Sequence, residues 1–255
     1  KAFLELHIEQ GTRAIVAVGT TGESATLTEE EHCTVIEKIV KFVKGRIPVI
    51  AGTGANSTIE AISLTKCAKK VGADACLLVT PYYNKPTQLG LLQHFKVIAE
   101  TVDIPQILYN VPGRTASNIS AETTLRLAND FENIVAIKEA SGDMDQIMRI
   151  IKDKPSEFIV LSGDDAFTLP MIHMGAEGVI SVIGQSHPKE FSEMVSCAIS
   201  GNKKVANELH NRLYDFYTPL YKEGNPVGVN ILDKKKFPGP TCKPFSSPSN
   251  SPDIE

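Results

Sequence analysis

"IVAIKEASGD", residues Ile134 to Asp143, opens as a continuous apolar run and then sets Lys138 and Glu139 against a small-residue turn. A run that is apolar on both faces reads as a strand covered on both sides, which is the habit of parallel sheets. A lysine at the end of such a run either reaches back to water or does chemistry.

Outward from this stretch the same pattern recurs. Short apolar runs at "AIVAV" (14–18), "IPVIA" (47–51), "ACLLV" (75–79), "PQILY" (105–109), "FIVLS" (158–162) and "GVISV" (178–182) each end in polar or glycine-rich residues, and amphipathic helices lie between them. Thr28 and Glu31 form a capping box before a helix that stops at Gly45; Ser57, Glu60 and Gly72 repeat the arrangement. Seven strand–helix units in a row predict an α/β fold, a closed (β/α)8 TIM barrel rather than an open doubly wound sheet. The dinucleotide fingerprint GxGxxG is absent, and "GTGAN" (52–56) is only a short glycine turn.

Seven strands are one short of a barrel. Because "KAFLELHIEQGT" (1–12) reads as a helix, the first strand is expected upstream of Lys1. The expected division is 1–185 for barrel strands two to eight, 186–226 for C-terminal helices, and 227–255 for an irregular Pro/Ser-rich tail. A fragment, or a reading-frame slip near Val227, accounts for both ends.

The 255 residues are 42% hydrophobic, enough for one large core, and the formal net charge of −4 argues against nucleic acid as a partner. The run Lys234–Lys236 reads as a solvated stretch. Cys33, Cys67, Cys76, Cys197 and Cys242 are odd in number and scattered, so reduced thiols and an intracellular setting are expected. No metal-ligand spacing, membrane-length apolar run or signal-peptide pattern is present.

Function in a parallel barrel gathers at the carboxyl ends of the strands. Those ends read "GTTGES" (19–24), "GTGAN", "TPYYN" (80–84), "YNVPGRT" (109–115), "KEASGD" (138–143), "SGDD" (162–165) and "VISV" (179–182). Hydroxyls, one lysine and one arginine converge there without a dominant histidine or carboxylate pair, which disfavours hydrolases and glycosidases. A lysine among hydroxyls and apolar walls suits Schiff-base formation, because burial disfavours the ammonium and lowers the pKa from about 10.4. A nearby tyrosine phenol can pass protons, and paired threonines can hold a carboxylate. Asp164 and Asp165 read as caps of the next helix.

"VGTTGESATLTEEEH", "AGTGANSTIEAISL", "TPYYNKPTQLGLLQHFKVIAE", "QILYNVPGRT", "IKEASGD" and "LSGDDAFTLPMIHMGAEGVISV" resemble the dihydrodipicolinate synthase family. That family belongs to the class I pyruvate-dependent aldolases, with N-acetylneuraminate lyase, and the likeness runs from Lys1 to Pro226. It implies a lyase that condenses pyruvate with L-aspartate 4-semialdehyde in lysine (diaminopimelate) biosynthesis, with no cofactor beyond the covalent lysine–pyruvate Schiff base. By that resemblance Lys138 is expected to form the base, Tyr109 and Thr20 to relay protons, and Tyr83 to complete the relay from a neighbouring subunit. It likewise implies that Thr21 binds the pyruvate carboxylate, Ile180 contacts pyruvate through its backbone, Arg114 attracts the semialdehyde carboxylate, and Gly163 lines the pocket. The resemblance also implies L-lysine as an inhibitor at Ser24, Ala25, His32, Asn56, Glu60 and Tyr82, where Glu29 departs from the histidine of many lysine-sensitive members. A homotetramer built as a dimer of dimers, in a cytoplasm or a plastid, completes the expectation.

Two other readings stand beside it. One is a lyase for N-acetylneuraminate or 2-keto-3-deoxy sugar acids; "GTTGES" and the arginine of "NVPGRT" favour the synthase. The other is an inactive fragment that keeps only interface or lysine binding.

Overall fold

In a computed structural model, the structure describes residues 1–222 and 224–229. Seven parallel strands follow one another in chain order: β1 (Ile15–Ala17), β2 (Val49–Gly52), β3 (Ala75–Val79), β4 (Gln106–Asn110), β5 (Ile134–Glu139), β6 (Ile159–Ser162) and β7 (Gly178–Val179). Each pairs with the next in parallel register. Helix α1 (Ala2–Glu9) precedes β1; between the strands lie α2 (Glu29–Val43), α3 (Thr58–Lys70), α4 (Gln88–Thr101), the short α5 (Pro112–Thr115), α6 (Ala121–Asp130), α7 (Met144–Asp153) and α8 (Thr168–Met174); α9 (Pro188–Ile199) and α10 (Lys203–Tyr221) follow β7. All seven expected strands form, β7 shorter than the apolar run at 178–182. The sheet curls into a half-barrel whose edges are β1 and β7, and both edges line one cavity.

Side chains alternate across each strand, and this sorts the core into two layers. Leu78, Leu108, Ile137 and Val160 face the helices, where Phe95, Leu91, Leu127 and Ile147 cover them. Leu77, Ile107, Tyr109 and Ala136 form an inner cluster with Val16, Ile50, Val79 and Ile180, and strands and their carboxyl-end loops supply all of it. The helices α9 and α10 pack on each other, with Phe191, Met194, Leu213, Tyr217 and Leu220 closing over Val182 and Ile183.

The local signals hold with three corrections. Thr28 and Glu31 make the reciprocal capping box, but at α3 only the Glu60 N–H donates to Ser57 Oγ, at 3.5 Å. Cys33 and Cys67 are joined by a disulfide with Cα atoms 6.2 Å apart, where free thiols were expected: α2 and α3 pack side by side and bring residues 34 apart in sequence together. Cys76 is free and buried, and burial pushes its thiol up to about 11; Cys242 lies outside the described residues. Third, residues 227–229, assigned to an irregular tail, are helical with Val229 fully buried; the remainder of that tail, 230–255, lies outside the described residues. No helix among the described residues is long and apolar enough to cross a membrane.

His94 on α4 is buried, with Nδ1 2.8 Å from Thr58 Oγ1, and burial pulls its pKa down to about 4. The unfolded chain therefore takes the proton first as pH falls, so stability present above about pH 6.5 is lost toward pH 4, by up to about 3 kcal/mol from this residue. Denaturant unfolding at pH 7 and pH 4.5 measures the loss. His94→Gln is expected to reduce the difference; an unchanged difference would remove His94 from the account.

Candidate active site

The strand periodicity that buries Ile137 against the helices turns Lys138 to the inner side. Its side chain is only 8% exposed, and Nζ lies 4.1 Å from the centroid of the Tyr109 ring. Parallel register makes these two residues direct neighbours, Tyr109 opposite Lys138, with Leu161 on the other side. Among the described residues Lys138 forms no salt bridge. The amine-bearing chain thus sits beside an aromatic ring in an apolar layer, without a carboxylate to hold it.

The next residue on each strand points outward and locks the pair. Asn110 Nδ2 donates to both oxygens of Glu139 at 3.1 Å, Ser141 N–H donates at 2.8 Å, and Gln146 Nε2 donates at 3.0 Å. Asn110 Oδ1 also accepts from Ile119 N–H at 3.1 Å, which ties the loop after α5 into the clamp. Burial raises the Glu139 carboxyl above its ordinary range, although all four bonds favour its charged form. This clamp was not anticipated from the sequence, where Glu139 reads only as the polar end of a strand.

Glycines set the closest approaches. A Cβ on Gly163 would come within 2.7 Å of Ala140 Cβ and 2.9 Å of Lys138 Cε. One on Gly54 would come within 2.2 Å of the Val79 nitrogen, so "GTGAN" is glycine-rich to let two strand ends pack and not to cradle a phosphate. Gly163→Ala is expected to displace the Lys138 chain and cut kcat/KM by about 100-fold while the fold persists. Steady-state rates with circular dichroism at equal concentration check this; wild-type rates would show that the lysine has room to move.

A cavity of about 780 Å³ brings Lys138, Tyr109, Thr20, Thr21, Arg114, Gly163 and Ile180 together. It opens at the mouth and continues between β1 and β7 down to Phe3 and His7 of α1. Thr20 and Thr21 occupy the turn after β1, and Arg114 projects from α5 into solvent at the rim. Ile180 donates its N–H to Ser162 O at 2.9 Å, which extends the β6–β7 pairing to the cavity wall.

Tyr83 lies outside this set. It is 88% exposed, with a left-handed φ of 74°. Asn56, Glu60 and Tyr82 also gather outside the cavity: Asn56 Nδ2 donates to Tyr82 O at 3.2 Å, and burial with nearby Glu60 raises the Tyr82 phenol. His32 is buried, its pKa lowered chiefly by that burial. Ser24 and Ala25 lie in a separate 3-10 turn.

The aspartates of "SGDD" do not cap α8. Asp165 is fully buried and accepts from Ser181 Oγ at 2.6 Å and from the N–H groups of Val182 and Ile183, so it caps the turn after β7. The long reach arises because the loops after β6 and β7 are neighbours only in the curled sheet. Asp164 accepts from Ala166 N–H within its own loop.

The family model described as "Dihydrodipicolinate synthetase family" matches residues 1–236. The chain belongs to this family. Among curated relatives, the 4-hydroxy-tetrahydrodipicolinate synthase of Pseudomonas putida (strain W619) is 55% identical over 227 residues, 89% of this chain and 77% of the relative. The dihydrodipicolinate synthase of Acinetobacter baumannii, solved in complex with pyruvate, is 51% identical with a TM-score of 0.88, covering 90% of this chain and 79% of that one. The lysine-bound structure from Cyanidioschyzon merolae is 42% identical with a TM-score of 0.92, covering 98% and 86%. Members of the dihydrodipicolinate synthetase family thus share this chain's fold along nearly all of its described length.

Proposed function

We propose that the chain is a 4-hydroxy-tetrahydrodipicolinate synthase, condensing pyruvate with L-aspartate 4-semialdehyde through a Schiff base on Lys138. The observation that carries the reading is the buried Lys138 amine 4.1 Å above the Tyr109 ring, in the cavity that Thr20, Thr21 and Arg114 also line. The 55% identity to a protein of that name supports it.

The neutral Lys138 amine adds to the pyruvate ketone, and the carbinolamine loses water to give the imine. Tyr109, backed by Thr20 and by Tyr83 of a neighbouring subunit, shuttles the protons of these steps. Loss of a methyl proton turns the imine into an enamine, whose carbon attacks the semialdehyde carbonyl; the resulting alkoxide is protonated to the hydroxyl. The substrate's own amine then attacks the imine carbon, displaces the Lys138 amine and closes the ring of 4-hydroxy-tetrahydrodipicolinate. Thr21 holds the pyruvate carboxylate, Ile180 contacts pyruvate through its backbone, Gly163 keeps the cavity wall close, and Arg114 draws in the semialdehyde carboxylate. Tyr83 is exposed, as a side chain that serves another subunit's mouth must be, and the assembly is proposed to be a dimer of dimers.

The gap between β1 and β7 is proposed to take an eighth strand, which closes the barrel over 1–185 beneath the helices of 186–226. L-lysine is proposed to bind at Ser24, Ala25, His32, Asn56, Glu60 and Tyr82, with Glu60 facing its ammonium. Glu29 here accepts from Ser63 Oγ at 3.1 Å and stands close enough to His32 to favour that residue's charged form.

Intact mass after pyruvate and borohydride treatment tests the Schiff base, and turnover of L-aspartate 4-semialdehyde tests the substrate. One reduced pyruvate adduct with turnover is the expected outcome. An adduct without turnover would favour a sugar-acid lyase, and no adduct on folded protein would favour an inactive fragment.

A further inference from the structure

The chain leaves α10 at Tyr221 and turns back to the mouth of the cavity, which Tyr221 and Asn225 both line. Two contacts pin this turn. Gly228 packs so closely on α10 that a Cβ there would lie 2.3 Å from Leu220 O, and Val229 is fully buried beside Leu213, Tyr217 and Leu220.

The turn thereby brings one residue against two site residues from distant parts of the chain. Asn225 Nδ2 donates to Thr21 Oγ1 at 2.9 Å, and Asn225 O accepts from Arg114 Nη2 at 3.3 Å. We propose that Asn225 is a positioning residue that orients Thr21 for the substrate keto-acid carboxylate with its side chain and steadies Arg114 with its carbonyl.

Hydrogen-bond direction explains the choice of an amide. Because Thr21 Oγ1 accepts from Asn225, its own proton is free to donate to an anion in the cavity, and a hydroxyl that accepts one bond donates a stronger one. The exposed Arg114 guanidinium has several N–H groups; fixing one on a carbonyl leaves the others for a carboxylate and lowers the ordering cost of the long side chain.

This inference rests on the proposed binding of pyruvate at Lys138, and two substitutions separate the two ideas. Asn225→Ala removes the donor to Thr21 and keeps the carbonyl that holds Arg114. It is expected to raise the pyruvate concentration for half-maximal borohydride trapping by about 10-fold, with the KM for aspartate semialdehyde nearly unchanged. Asn225→Asp has the same shape but only accepts: it claims the Thr21 proton and sets a negative charge near the carboxylate site, so the rise is about 100-fold. A purely structural strut predicts the reverse order, because the alanine leaves a void and the aspartate does not. Thermal unfolding of both variants monitors the fold. Wild-type half-saturation in both, an aspartate variant no worse than the alanine one, or loss of the fold in both would overturn the proposal. Absence of any adduct in the unaltered protein would instead defeat the underlying Schiff-base reading.

Discussion

Lys138→Ala is expected to abolish the pyruvate adduct trapped by borohydride and to lower turnover by roughly three orders of magnitude or more. Chain length is not what the reaction needs. The amine must be nucleophilic, so Lys138→Arg should be as inactive as the alanine variant, although it keeps a cation over the Tyr109 ring. Stability should change little in comparison, because the Lys138 side chain forms no salt bridge among the described residues. Intact-protein mass spectrometry after trapping reads the adduct directly. A full adduct on the alanine variant would place the reactive amine elsewhere and sink the mechanism.

The second large effect belongs to Glu139, one residue along and on the opposite face. Glu139→Ala leaves a void in the clamp, strips the Ser141 N–H of its partner and weakens the tie between β4 and β5. A loss of about 2–4 kcal/mol is expected from the orphaned donors and the cavity together, or roughly 5–15 °C in Tm. Turnover at a temperature where the variant is folded should also fall, by about 100-fold, because Tyr109 and Lys138 keep their spacing through this pair. Glu139→Gln retains the shape and one acceptor oxygen, so it is expected to lie between wild type and alanine.

The pH dependence of this residue runs opposite to that of His94. Burial raises the folded pKa of Glu139, so its contribution is complete below the ordinary carboxylate range and is lost as pH rises through the raised value. The alanine variant should lack that decline, which a denaturation series rising from the ordinary carboxylate range reads. A variant with wild-type Tm and wild-type turnover would show that the clamp neither stabilises the strands nor spaces the catalytic pair.

Much of this site is legible without coordinates because strands alternate. Once "IVAIK" is read as a strand between two apolar layers, Lys138 and Ile137 must face opposite ways, and the repeated strand–helix punctuation fixes which ends share a mouth. The six quoted motifs add the residue roles by resemblance. The same local logic fails for residues whose partners are remote. Asp165 looks like a helix cap and serves the β7 turn instead. Cys33 and Cys67 look like scattered core thiols and are bonded. Asn225, in "GNP", reads only as the end of a helix, and no local pattern points to its contacts with Thr21 and Arg114.

From the sequence alone came the order and direction of the strands, the capping box of α2 and the inward face of Lys138, all set by neighbours a few residues apart. Tertiary structure alone decided which groups hold those elements in place: the acceptors around Glu139, the reach of Asp165, the bridge between α2 and α3, and the return of Asn225 to the mouth. The physical reason is one of range. Backbone periodicity and burial repeat every two to four residues and can be read along a chain, whereas a buried hydrogen bond goes to whichever partner the packed layers bring within 3 Å or so.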